Sequence, residues 1–170
     1  MKGYLLGAAL LAACAWGYLQ TKKLSGSGIE AFYQTDAETT GHHYTDASCA
    51  LLADEFRGSS SGVINGMAVP QRTIGKSEFC DNMKKFSDML ENVEKRLGRK
   101  ADIAYSTNLT DPTYAADHRS ATVHVTYQYS LLGGRLMNVH GTRVDTLVKR
   151  DGKVLLLATE DHTNGTIGPQ

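Results

Sequence analysis

Two glycine turns near the end of the chain constrain its fold more than any other feature. Gly133-Gly134 and Asp151-Gly152 both meet the positive-φ demand of a two-residue hairpin loop. They divide the last third of the chain into three strand-like runs, residues 121–130, 135–149 and 153–162. The first run, Ala-Thr-Val-His-Val-Thr-Tyr-Gln-Tyr-Ser, alternates with period 2 and is rich in β-branched and aromatic residues. The pattern predicts a twisted antiparallel meander on which the earlier part of the chain packs.

Two-residue loops at both turns set a register. Tyr127 then faces His140 and Val123 faces Val144; in the next pair Val148 faces Leu155, Thr146 faces Leu157 and Thr142 faces Asp161. On this register the core face carries Val123, Val125, Tyr127 and Tyr129 of the first strand. From the second it takes Leu136, Asn138, His140, Val144 and Val148, and from the third Leu155 and Leu157. Arg143, Asp145 and Glu160 fall on the other face, with Arg143 and Glu160 as a surface pair. Tyr127, Asn138, His140 and Asp161 gather towards one end of the core face and are the candidate ligand contacts. Asp161 is diagonal to His140, within reach of a long side chain. A carboxylate beside an imidazole orients it as a general base requires, and a buried tyrosine can donate to a developing oxyanion. The same residues also read as a satisfied polar network at the rim of an apolar core, so none is assigned a catalytic role.

The N-terminus reads as an address. Met1-Lys2 is a basic start, residues 3–13 are an apolar run, and Leu11-Ala12-Ala13-Cys14 ends it. That order describes a secretory signal over residues 1–13. Leu-Ala-Ala-Cys resembles a bacterial lipobox, which implies lipidation of Cys14, cleavage before it, and a mature protein lipid-anchored at the cell envelope and facing the periplasm. Two other readings stay open. Ala13-Cys14-Ala15 also suits an ordinary signal peptidase, leaving a soluble periplasmic or secreted protein. An uncleaved anchor reaching Leu19 is at the lower limit for a span. Residues 14–28 then hold the anchor site and a flexible spacer with Ser25-Gly26-Ser27-Gly28.

Export changes the reading of the thiols. With Cys14 lipidated or removed, Cys49 and Cys80 remain, and two thiols in an oxidising compartment are expected to pair; two buried free thiols are the alternative. Their spacing does not suit a metal. Acids and bases balance at 18 each, so no field steers nucleic acid to this chain. No phosphate loop, zinc spacing or nucleophile elbow occurs, and no cofactor or metal is expected.

Between the signal and the meander, residues 29–34 predict a short helix and residues 36–45 a polar loop carrying His42-His43. Asp46 caps an expected helix over residues 47–56, broken by Gly58 and its serines. Residues 63–74, with Gly66 and Pro70, predict only short, irregular edge strands. Ser77 then caps the clearest helix, with Phe79, Met83, Phe86, Leu90, Val93 and Leu97 on one stripe. Lys95, Arg96 and Gly98 close it. Residues 101–108 predict a strand, residues 109–119 a polar loop, and residues 163–170 a polar tail.

Three stretches resemble nuclear transport factor 2-like (SnoaL-like) domains. Cys49-Ala-Leu-Leu-Ala-Asp-Glu-Phe-Arg resembles the end of their second helix. Ile74-Gly-Lys-Ser-Glu-Phe resembles the entry into their third, and Val144-Asp-Thr-Leu-Val-Lys-Arg-Asp-Gly-Lys-Val-Leu-Leu-Leu their penultimate hairpin. The resemblance covers residues 29–162. It implies an α+β cone, a curved antiparallel sheet wrapped round about three helices with a pocket at its open end. The family includes isomerases, dehydratases, secretion-apparatus subunits and non-catalytic binders, so fold alone does not set function. No catalytic set of the family matches residue by residue, and the first helix reads as shorter than in catalytic members. The expected function is a non-catalytic envelope lipoprotein that binds a small apolar ligand or an envelope protein, with a homodimer possible. The alternatives are an isomerase- or dehydratase-type enzyme using Tyr127, His140 and Asp161, and a subunit of an envelope secretion complex.

Overall fold

The computed structural model describes residues 23–42 and 45–168; Cys14, the signal stretch and His43 lie outside the described residues. Among the described residues three helices and seven strands follow in the order α1 (Gly26–His42), α2 (Thr45–Ala50), β1 (Leu52–Ile64), β2 (Met67–Gly75), α3 (Lys76–Leu97), β3 (Ile103–Leu109), β4 (Thr113–Tyr114), β5 (Ser120–Leu131), β6 (Met137–Arg150) and β7 (Lys153–Ile167). The strands form one sheet, β2-β1-β7-β6-β5-β3, with β4 paired to β5. Every pairing is antiparallel except β1 with β7, which is parallel. The sheet is therefore mixed, where an antiparallel one was expected.

The closed end of the cone is its core. α1 lays Ile29, Phe32 and Tyr33 against Val123 and Val125 of β5 and Leu147 of β6, all buried. α1 is 17 residues long, not a short helix followed by a loop. Thr35, Thr39, Thr40 and Gly41 have poor intrinsic helix preference, but burial of Thr39 and back-bonds from Thr35 Oγ1 to Ala31 O (2.9 Å) and Thr39 Oγ1 to Asp36 O (3.1 Å) carry the helix through them. The expected spacer is also shorter. Leu24 is buried, its N–H donates to His118 O (2.7 Å), and Gly26–Gly28 form the first turn of α1. The first helix is thus not the short one that the sequence suggested.

The expected helix over residues 47–56 stops at Ala50, and Leu52 begins β1. Tertiary pairing overrides helical preference here. Leu156 N–H donates to Leu51 O (2.8 Å), Leu52 pairs with Leu156, and Phe56 is buried. The serines after Gly58 are not a break but the middle of this strand. Residues 63–74 form a true hairpin, turning at Asn65 (φ 53°) and Gly66 (φ 77°). Its outer strand β2 is an exposed edge, and Pro70 sits where a sheet edge tolerates it.

α3 begins at Lys76, with Gly75 rather than Ser77 at the cap position and no side-chain cap. Glu78 in its first turn and Lys95 and Arg96 in its last suit the dipole. Gly98 ends it at φ 65° as expected. The Cys49–Cys80 disulfide joins α2 to α3, with Cα atoms 5.8 Å apart. β7 runs on to Ile167, so residues 163–167 are strand rather than tail.

The meander forms, but its register differs twice. The Asp151-Gly152 turn has two residues, and Val148 faces Leu155 as expected. The first turn does not: Leu132, Gly133 and Gly134 all take positive φ, and Leu131 pairs with Met137. This slips β6 by one residue against β5, so Tyr127 faces Gly141 and Val123 faces Asp145. A second shift lies between Thr146 and Leu147: Leu147 faces Leu156 but Thr146 faces Ala158, leaving Leu157 unopposed. Asp161 therefore faces Arg143 instead of Thr142.

Candidate ligand site

The slip of β6 inverts that strand. Val139, Arg143, Asp145 and Leu147 point inward, while Asn138 and His140 are exposed on the outer face. Of the four candidate contacts, the structure brings Tyr127 and Asp161 together on the inner face and separates Asn138 and His140 from them. Asp161 stays inside because the shift at Leu157 reverses the facing of β7 a second time.

The inner face borders a cavity of about 850 Å³ between α3, the β1–β2 hairpin and strands β5, β6 and β7, a size that suits a small organic ligand. Phe32, Leu52, Phe79, Met83, Met137 and Val139 give it apolar walls. Tyr105, Tyr127 and Tyr129 make a contiguous aromatic side: Tyr105 pairs with Tyr129 across β3 and β5, ring centroids 6.3 Å apart, and Tyr127 lies two residues from Tyr129 on the same face. Phe86 of α3 meets the Tyr129 ring edge-on at 6.3 Å. Gln71, Arg72 and Asn82 are exposed at the rim.

Two polar networks are set into this wall. In the deeper one Arg143 Nη2 donates to Asp36 Oδ2 (2.8 Å), and Arg143 Nε lies 3.0 Å from Asp145 Oδ2 without the alignment of a hydrogen bond. Asp145, 0% exposed, also accepts from Tyr33 Oη (2.8 Å) and Thr159 Oγ1 (2.7 Å). Burial pushes its carboxyl above the ordinary range, against the opposing pull of Arg143, Thr159 and Tyr33. Burial acts to lower the Arg143 pKa, but Asp145 and Asp36 raise it further, so the guanidinium stays charged. In the second network Tyr127 Oη donates to Asp161 Oδ1 (2.8 Å) and contacts Thr163 Oγ1 at 2.6 Å; Thr163 also bonds Asp161. Tyr127 reaches across β6 because residue 141 is glycine. A Cβ there would lie 2.6 Å from the Tyr127 hydroxyl.

Two buried hydroxyls on the same cavity, Tyr129 Oη and Ser48 Oγ, have no hydrogen-bond partner among the described residues. A side chamber of about 180 Å³, walled by Thr40, Thr45, Phe86 and Ser87, shares Met83 and Tyr129 with the main cavity. Among the described residues no cluster of three or more metal-ligating side chains is present, and no helix is long and apolar enough to cross a membrane.

Sequence reasoning missed Arg143, Asp145 and Asp36. A signal for the first two was present: opposite charges two apart on a strand share one face, and such a pair inside an apolar strand is either paired outward or buried as a unit.

Desolvation is the largest cause of a raised pKa at Tyr33, Tyr105, Tyr127 and Tyr129, the last pushed up to about 12. A tyrosine whose folded pKa exceeds its unfolded value of about 10 contributes stability that is intact below pH ~10 and lost as pH rises through the folded pKa. Ultraviolet titration should therefore show four of the eight tyrosines remaining un-ionised beyond pH ~10, ionising only as the domain unfolds in alkali. Ionisation of all eight near pH ~10 with the fold intact would contradict the buried wall.

No protein-family model matches the chain, and no curated protein matches it in sequence. Solved structures do. A nuclear transport factor 2-like protein from Pseudomonas putida superposes with a TM-score of 0.56 at 12% identity, covering 80% of this chain and 84% of that one. Another, from Cytophaga hutchinsonii, gives 0.54 at 11% identity over 83% of this chain and 100% of its own. A protein from Novosphingobium aromaticivorans, named as a candidate scytalone dehydratase, gives 0.54 at 16% identity over 81% and 83%. Helices packed inside a curved sheet, a parallel pairing of first and last strands, and likeness to these structures along four-fifths of the chain assign the domain the nuclear transport factor 2-like α+β fold.

Proposed function

We propose that the chain is a lipid-anchored envelope protein whose cone binds a small, largely apolar molecule. The observation that carries this reading is the cavity of about 850 Å³, walled by apolar and aromatic side chains with a few fixed polar groups. The point of attachment supports it. Eight residues, 15–22, separate Cys14 from Lys23, a covalent reach of at most about 30 Å. The chain enters the fold at the closed end, where Leu24 bonds His118 and Lys149 Nζ donates to Lys23 O (3.0 Å). Met137, at the opposite end of β6, borders the cavity. A lipid at Cys14 would thus hold the closed end to the bilayer and turn the cavity towards the aqueous compartment.

The isomerase- or dehydratase-type reading keeps Tyr127 and Asp161, which are hydrogen-bonded on the cavity wall, but loses its imidazole because His140 is exposed on the other face. No histidine is among the described residues that line the cavity, and the binding role is favoured.

Two measurements test the proposal. Cells expressing the chain and fed a palmitate analogue should label it, and Cys14→Ser should lose both label and membrane retention. The purified domain should enhance the fluorescence of N-phenyl-1-naphthylamine, and Met83→Trp, which fills the cavity from α3, should reduce that binding at least about tenfold with unchanged circular dichroism. Undiminished binding in Met83→Trp would place the probe elsewhere, and an unlabelled parent protein would remove the anchor.

A further inference from the structure

The cavity wall is unbalanced in charge. Asp36 and Asp161 line it, and Asp145 is buried beside Arg143, the one basic residue set into the same wall. Arg143 is already committed to Asp36 and Asp145. Arg72, the other basic residue on the wall, is exposed at the rim and paired with Glu78. Asp161 has hydroxyl partners only, Tyr127 and Thr163, and no cation within 4.0 Å among the described residues.

Hydroxyls that can accept a proton donor line the same cavity without a partner among the described residues. Ser48 is 8% exposed, and its Oγ has no partner in the same cavity; Tyr129 Oη is likewise buried and unpartnered. A hydroxyl accepts from an N–H as readily as it donates. The contiguous side made by Tyr105, Tyr127 and Tyr129 offers ring faces that attract a cation through their quadrupoles. A carboxylate ligand would meet surplus negative charge and no free guanidinium. A neutral ligand would leave Asp161 without a counter-charge in a partly desolvated site.

Resting on the cavity-binding reading above, we infer that the cavity selects an apolar cation: an amine or quaternary ammonium compound with its hydrocarbon body against Phe79, Met83 and Val139 and its charge at Asp161 and the tyrosine side.

The test uses three matched probes with the folded mature domain: 2-(2-naphthyl)ethylamine, 2-(2-naphthyl)ethanol and 2-naphthylacetate, each titrated calorimetrically at pH 7 and low salt. The amine is expected to bind at least about tenfold more tightly than the alcohol, as a charge-assisted contact in a partly buried site requires, and the carboxylate most weakly. Asp161→Asn, nearly isosteric, should erase the preference for amine over alcohol and leave alcohol binding within about twofold. The wild-type ranking decides the question even if that variant folds poorly. Binding of the alcohol with no preference for the amine, or a preference for the carboxylate, overturns this inference and leaves the cavity a binding site. A preference for the amine that survives in folded Asp161→Asn also overturns it. Failure of all three probes to bind overturns the cavity-binding reading itself and this inference with it.

Discussion

Replacing Asp145 by alanine is expected to lower the unfolding free energy by about 3–5 kcal/mol, the cost of taking one member from a buried ion pair. Asp145 is 0% exposed and holds three elements together. Tyr33 donates to it from α1, Thr159 from β7, and Arg143 lies beside it on β6. Alanine would strand the buried Tyr33 hydroxyl and the half-buried Thr159 hydroxyl, and leave Arg143 dependent on Asp36 alone. Asp145→Asn should cost less, about 1–3 kcal/mol, because an amide keeps the volume and one acceptor but not the charge. Urea denaturation should show the midpoint falling with the slope unchanged, the mark of lost stability rather than altered compactness. A loss below about 1 kcal/mol for the alanine variant would mean that the network does not hold α1 to the sheet.

The same network shows what could be read from sequence and what could not. Hydrophobic alternation, the Asp151-Gly152 turn and the stripe of α3 are local signals, and the strands, the turn and the helix they predict all form, although β6 turns its other face inward and Leu97 at the end of the stripe is exposed. The expected cystine forms too. What failed depended on partners far away in sequence. Leu52–Arg57 has helical composition but pairs or packs against β7, and β7 comes about a hundred residues later. Thr39 and Thr40 would end an isolated helix, but they lie under the sheet and beside the cavity, and α1 continues.

Register was the most fragile step. Gly133-Gly134 signals a turn correctly, but Leu132 also adopts positive φ, and one extra residue in the loop moves Asn138 and His140 outside and Arg143 and Asp145 inside. The shift at Leu157 is invisible in the alternation because residues 154–157 are apolar throughout. The two slips cancel along β7 beyond Leu157, which is why Tyr127 and Asp161 meet as expected while the imidazole on β6 does not join them. The fold was legible because many weak signals agree; the site was not, because it depends on the parity of two loops.

Removing the Cys49–Cys80 bond is expected to cost about 3–4 kcal/mol, from the loop-closure entropy that a bond across 31 residues withdraws from the unfolded chain. The geometry makes this bond the main tie at one end of α3. Apart from it, that end is held by the Phe56–Phe79 edge contact (5.5 Å), by Lys76 Nζ donating to Leu52 O (2.8 Å), and by exposed ion pairs of Lys76 with Asp54 and of Glu78 with Arg72 of β2. Further along, Leu90 is the one fully buried apolar residue of the helix, although its apolar stripe is long. Phe79 and Met83, between those anchors, border the cavity, so loosening α3 loosens one wall of the binding site. Heating the purified domain with and without a phosphine reductant should show the melting temperature fall by roughly 10 °C on reduction, the shift such a loss implies for a domain of this size. A Cys49→Ser/Cys80→Ser double variant should melt at the reduced temperature and ignore the reductant. Cavity-bound N-phenyl-1-naphthylamine should dissociate faster from either form than from the oxidised protein. Equal melting temperatures for the oxidised and reduced forms would show that α3 is held by its packing alone, with the cystine contributing nothing to the cavity wall.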